Sequence, residues 1–232
     1  MKMTSLLLIG TLTLTTGTLW GASGRQDSIE RLRLSADVLH AAINAADKGI
    51  PEEVVRNAKC IVVVPHLVKG GFIIGGEHGR GVAICRTAEG WSAPAFVSIG
   101  GGSWGLQIGA EAVDLVMLAM NDQGLQHLLS SKFKIGGDAS ASAGPVGRHA
   151  SAGTDWKLNT EMLTYSRSRG AFVGISLDGA VVEPDADSTR AIYGGDPAFR
   201  AILSGNVRAP KSTLSFKRAV AEIAHTSAAA EK

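Results

Sequence analysis

Between Gly70 and Gly109, 12 of 40 residues are glycine, interleaved with strand formers such as Phe72, Val82, Ile84 and Phe96. A flexible glycine-rich linker lacks such apolar residues. Glycine weakens a flat strand, because it has no side chain to pack and more entropy to lose. It is useful where strands bulge, bend or approach closely. The pattern therefore predicts an α+β fold. Its core is a single glycine-rich, curved, mainly antiparallel β-sheet or barrel, with an N-terminal amphipathic helix and short inserted helices.

The remaining periodicities fill in that outline. Ile29, Leu32, Ala36, Leu39, Ile43 and Ala46 recur at helical spacing and predict a helix over 28–48, capped by Asp27 or Ser28. Gly49 ends it, and Pro51 opens a short helix through Ala58. The β-branched run from Cys60 to Val64 predicts a buried strand that Pro65 stops. Further strands are expected at 72–75, 81–85, 95–99, 106–112 and 113–120, with breaks at the Gly-Gly pairs 70/71 and 75/76. A helix follows over 121–131, then a small-residue strand within 136–147. Residues 161–167 and 171–177 read as a hairpin turning at Arg169-Gly170. A short strand over 180–183 leads to helices over 185–193 and 197–203. The segment after Ser204 is a tail with a weakly amphipathic helix through Phe216, Val220 and Ile223.

Residues 1–24 read as a secretory signal. Lys2 is followed by an apolar stretch, Leu6 to Trp20, and by the small residues Gly21 to Gly24. The run is short and rich in Thr for a membrane anchor. No cysteine lies near the cleavage region to accept a lipid. The expected organisation is a signal peptide over 1–24, one domain over 25–203 and a tail over 204–232. The expected location is the periplasm or cell envelope, peripheral to the membrane. Formal net charge is +2, and +1 without residues 1–24. That is too little to drive nucleic-acid binding through bulk charge. Cys60 and Cys85 both lie in apolar strands. They either pair, if the register brings them together, or remain as two buried thiols.

Two motifs suggest chemistry that their context does not support. Gly101-Gly102-Ser103-Trp104-Gly105 spells G-x-S-x-G, and Gly100, Gly102 and Gly105 spell a dinucleotide fingerprint. Both need a helix directly after the turn, to expose the serine or to aim its N-terminus at a phosphate. Here Leu106, Ile108, Ala110 and Ala112 alternate with period two, which predicts a strand. A serine hydrolase using Ser103 is thus a remote alternative, and no catalytic residue is assigned. No His or Cys spacing predicts a metal site, and no cofactor is expected. The basic residues Lys69, Arg80, Arg148, Arg167 and Arg169 all fall at expected strand ends or turns. Together they would form an anion-binding rim. Arg31 and Arg33 add positive charge to the first helix, and Trp104 would anchor at headgroup level. The competing reading is solvated arginines, a helix packed on the sheet and a buried tryptophan.

Four ordered blocks carry a family resemblance: WSAPAFVSIGGGSWGLQIGAE (Trp91–Glu111), GDASASAGPVGR (Gly137–Arg148), YSRSRGAFVGISLDG (Tyr165–Gly179) and IYG (Ile192–Gly194). The chain resembles the SYLF domain family from about Ile29 to about Leu203. The resemblance implies a non-enzymatic binding domain. Eukaryotic relatives bind phosphoinositide membranes, and some fungal ones bind actin filaments. A basic amphipathic segment near the domain start is associated with membrane binding, and Arg31 and Arg33 match it. Bacterial relatives are typically exported. Export would separate this chain from cytoskeletal actin and make an anionic phospholipid membrane surface the expected partner. The alternative is an envelope structural or protein-interaction domain with no specific lipid.

Overall fold

The computed structural model describes residues 19–45, 49–72, 74–104, 109–130, 132–147, 160–168 and 170–229. Helix α1 (Leu19–Asn44) begins nine residues ahead of the expected start. Ser28 does not cap it: its hydroxyl donates to the Gly24 carbonyl (2.7 Å), one turn back within the same helix. Helix α2 (Glu52–Asn57) follows Pro51 as the sequence suggests.

The central strands are β1 (Cys60–Phe72), β2 (Ile74–Thr87), β3 (Gly90–Trp91), β4 (Ala95–Trp104) and β5 (Gly109–Ala119). Helix α3 (Asp122–Leu129) is capped by Asn121, whose side chain accepts from the Gly124 amide. Then come β6 (Phe133–Lys134), β7 (Ala141–Ala143), β8 (Met162–Ser168), β9 (Ala171–Gly174) and β10 (Val181–Pro184). Helices α4 (Ala186–Tyr193), α5 (Phe199–Leu203) and α6 (Leu214–Ala229) complete the chain. The strands form one curled sheet in the order β6-β10-β4-β2-β1-β5-β8-β7, with β3 beside β2 and β9 beside β8. Neighbours are antiparallel except β7 and β8.

Two apolar layers sandwich one half of this sheet. Ile61, Val63, Val82, Ile84 and Phe96 pack with α1, α2 and α6. Val62, Val64, Ala83, Val97 and Leu115 pack with α3 and α5 on the other face. Residues after Leu203, read from sequence as a tail, include the buried Phe216 and Val220 of α6.

Pro65 does not end β1, and the glycine pairs do not break the hairpin. Gly70 pairs with Gly76, and Gly71 with Gly75. Instead β1 bulges. Val64 and Leu67 lie three apart yet pack into the same layer, so one extra residue is inserted at Pro65-His66. Proline fits there because its missing N–H leaves no ladder bond unmade. Opposite the bulge, glycine is required. A Cβ on Gly79 would come within 2.6 Å of Val64 Cγ1, and one on Gly81 would strike the Val63 carbonyl and Val64 Cγ2. Gly100 has no such neighbour, its nearest being 3.8 Å away.

The register pairs Cys60 with Cys85, and the two form a disulfide. This resolves the choice left open by the sequence. Its closed loop predicts that replacing both cysteines by serine lowers stability by about 3 kcal/mol, measured by urea unfolding. Gly81→Ala is expected to cost ~2–3 kcal/mol in the same assay, and Gly100→Ala to leave the midpoint nearly unchanged.

Candidate functional site

Asp185 joins three elements. Its carboxylate accepts the Ser188 amide (3.0 Å) and hydroxyl (2.7 Å), which caps α4. The same oxygen that takes the hydroxyl meets Arg31 Nη1 of α1 at 3.2 Å and Arg80 Nε of β2 at 3.6 Å. Arg31 also donates to the Ser188 hydroxyl and lies over the Phe96 ring. Burial pushes the Arg31 guanidinium below the usual arginine range, and the Asp185 charge opposes that shift. A buried cation persists in such a place only with a partner of this kind.

Asp114 holds the bulge. One carboxylate oxygen accepts the His66 backbone N–H (3.1 Å), and the other accepts Arg167 Nε (2.9 Å) and Nη2 (2.6 Å). His66 has φ 54°, among the described residues the one non-glycine in the left-handed region. The bulge turns its side chain outward. A cleft of about 390 Å³ results, with Asp27, Glu30 and Arg31 of α1 on one wall and His66, His78 and Arg80 of the sheet on the other. Both histidines are exposed, and the Arg80 side chain is 52% exposed.

The predicted rim is therefore divided. Arg31, Arg80 and Arg167 belong to the α1-facing side of the sheet. Arg31, expected to offer positive charge on the first helix, is instead buried, because the turn carrying it docks on α4. Arg33 is exposed on α1 and held by Glu30 and Asp37, both at 2.6 Å. Those carboxylates raise its pKa, and Arg33 in turn lowers that of Glu30. Lys69 pairs with Glu77 (3.4 Å) on the opposite face, since the bulge has shifted the alternation by one residue. Arg148 and Arg169 lie outside the described residues. Trp104 ends β4, and only its backbone position is described.

Ser103 lies in β4, paired with Gly75, and the chain leads on to another strand. A nucleophilic serine sits at a strand-to-helix turn, whereas Ser103 lies within β4 and Trp104 continues the strand. Among the described residues, no group of three or more His, Cys, Asp or Glu is placed to share a metal ion. No described helix is long and apolar enough to cross a membrane.

Sequence reasoning missed Asp185 and Asp114 as organisers. Asp185 was visible only as the first residue of the helix expected over 185–193. Its partner Arg31 is 154 positions away, a distance that no local pattern bridges. His66 and His78 fall in no motif that would mark a site. The one available signal was the Pro65 interruption of a strand, which is also where bulges occur.

Comparison with known proteins fits this architecture. The family described as Ysc84, Las17-binding protein actin regulator, matches residues 100–223. The chain belongs to the Ysc84, or SYLF, family. It is 37% identical over 169 residues to an SH3 domain-containing protein of Schizosaccharomyces pombe, covering 71% of this chain and 39% of that one. It is 32% identical to Protein YSC84 of Saccharomyces cerevisiae, covering 71% and 36%. It is 31% identical to human SH3 domain-containing YSC84-like protein 1, covering 72% and 49%. This SYLF chain thus spans less than half the length of these relatives. Two of these relatives are named as SH3 domain-containing proteins, and the family description names an actin regulator; none of these names describes an enzyme.

Arg31→Met should cost ~3 kcal/mol, because it leaves the Asp185 carboxylate buried without its main cation. Arg33→Ala should leave the unfolding midpoint unchanged. Urea titration of both variants checks the contrast.

Proposed function

We propose that this SYLF chain is a non-enzymatic module that binds phospholipid, preferentially anionic, at a membrane surface of the cell envelope. The observation that carries the reading is the cleft between α1 and the sheet. Arg80 has one partner there at 3.6 Å and a half-exposed side chain, so its guanidinium retains donors for a phosphate. His66 and His78 stand on the same wall. Asp27 and Glu30 make the cleft mixed in sign. Recognition then rests on directed hydrogen bonds rather than on bulk charge, in keeping with a net charge of only +2.

An exported chain would meet the envelope, and two features favour export. The first 24 residues have the composition of a secretory signal, and a Cys60–Cys85 disulfide suits an oxidising compartment. A second reading, a protein-interaction domain, is favoured by the family's description as Las17-binding actin regulators. Co-sedimentation of the purified protein with anionic and neutral vesicles separates the two. Tighter binding to anionic vesicles, reduced about tenfold by Arg80→Glu, is the expected result. Absence of binding to either vesicle type overturns the lipid reading and leaves the interaction domain.

A further inference from the structure

The sheet has a second half that the helices do not sandwich, and its end is free of charge. The register sets Glu77, Lys69 and Glu111 side by side on β2, β1 and β5, with Gly101 of β4 next to Glu77. Beyond that row the strands continue. β1 adds Gly70, Gly71 and Phe72, β2 adds Ile74, Gly75 and Gly76, β4 adds Gly102, Ser103 and Trp104, and β5 adds Gly109 and Ala110. Phe72 pairs with Ile74, and Ile74 with Trp104, so the register places three large apolar residue types at neighbouring positions on three adjacent strands. Neither 70–76 nor 99–110 contains a charged residue.

We infer that this uncharged strand end is the part of the protein that enters the lipid surface. The inference rests on the lipid-binding reading and departs from it in where contact is made. Three residues at about 3.3 Å each extend roughly 10 Å past the charged row. That matches the depth to which peripheral apolar elements sink at the headgroup and acyl boundary, about 5–10 Å. The row of Glu77, Lys69 and Glu111 sets the limit of entry, because each charge would have to shed water to go deeper. Between β5, β1, β2 and β4 the ladders run to the end, so the inner backbone groups are paired, while the outer edges of β4 beyond Gly100 and of β5 before Asp114 face the polar headgroup layer. Gly76 and Gly102 meet nothing closer than 3.5 Å and 4.0 Å where a Cβ would stand, and both are exposed. Packing therefore does not account for glycine there, whereas a slim end that displaces few headgroups does.

The first helix is poorly suited to the same task. Arg31 is committed to Asp185, and Arg33 to Glu30 and Asp37. The apolar stripe of α1 is occupied by the core. Arg80 lies three residues behind the charged row. With the sheet inclined to the surface, the strand end enters the headgroup layer while Arg80 approaches the phosphates.

The test is vesicle co-sedimentation of the full chain as wild type, Phe72→Ser/Ile74→Ser, Trp104→Ser and, as a control, Leu214→Ser, an exposed apolar position on α6. Circular dichroism and thermal unfolding establish that each variant is folded. Strand-end variants are expected to lose roughly tenfold in binding to both anionic and neutral vesicles at high salt, with the control unchanged. If the wild type binds and the folded strand-end variants bind equally well, the inference is overturned and the lipid reading stands. If the wild type binds no vesicle, both fall. Should Trp104→Ser alone unfold, brominated lipids quenching the wild-type tryptophan emission decide the point, and absence of quenching counts against it.

Discussion

One extra residue in β1 decides which side chains share a face. Before the bulge, Ile61 and Val63 pack beneath α1. After it, the alternation has shifted, so His66 and Val68 line the α1 cleft while Lys69 goes to the opposite face. The insertion is possible because Gly79 and Gly81 stand across from it, where any Cβ would collide with Val63, Val64 or Leu67. It persists because the Asp114 carboxylate takes the His66 amide and ties it to Arg167 on β8. A side-chain period of two means that a one-residue shift inverts everything downstream.

Electrostatics in this molecule serve the fold before the surface. Arg31, Arg33 and Arg167 have the spacing and charge of surface cations, yet each is held by a carboxylate of the same chain. Desolvation explains why. A guanidinium brought under a helix loses water and needs hydrogen-bonded compensation, so the contact that orders α1 against α4 also removes Arg31 from the pool available to ligands. Arg80 shares Asp185 at a longer distance and remains half in solvent. That difference separates a structural tie from a cation with donors left in solvent.

The glycines fall into two kinds. Gly79 and Gly81 serve close packing across the bulge. Gly76, Gly100 and Gly102 have room for a methyl group and none has positive φ. The sandwiched half of the sheet resembles the core of any α+β domain. In the extended half Val68, Gly76, His78, Gly102 and Glu111 are exposed, and the sequence of its end is uncharged. This division is consistent with a binding module whose scaffold and contact surface lie at opposite ends of the same strands.

Composition and periodicity were enough to establish the fold class, the helices at 52–57, 122–129 and 186–193 and the apolar lining of the central strands, because these depend on local spacing and on capping residues such as Asn121 and Asp185. The ordered blocks from Trp91 to Gly194 were enough to identify the family. Strand lengths were misjudged at Pro65 and at the Gly-Gly pairs, since a residue that disfavours an isolated strand is tolerated when neighbours on both sides complete the ladder. The pairing of Cys60 with Cys85, the burial of Arg31 and the separation of Lys69 from Arg80 depended on register and on contacts between residues far apart in the chain. No local pattern encodes these: the bulge that sets them is one residue long, and the carboxylates that stabilise them lie on other elements.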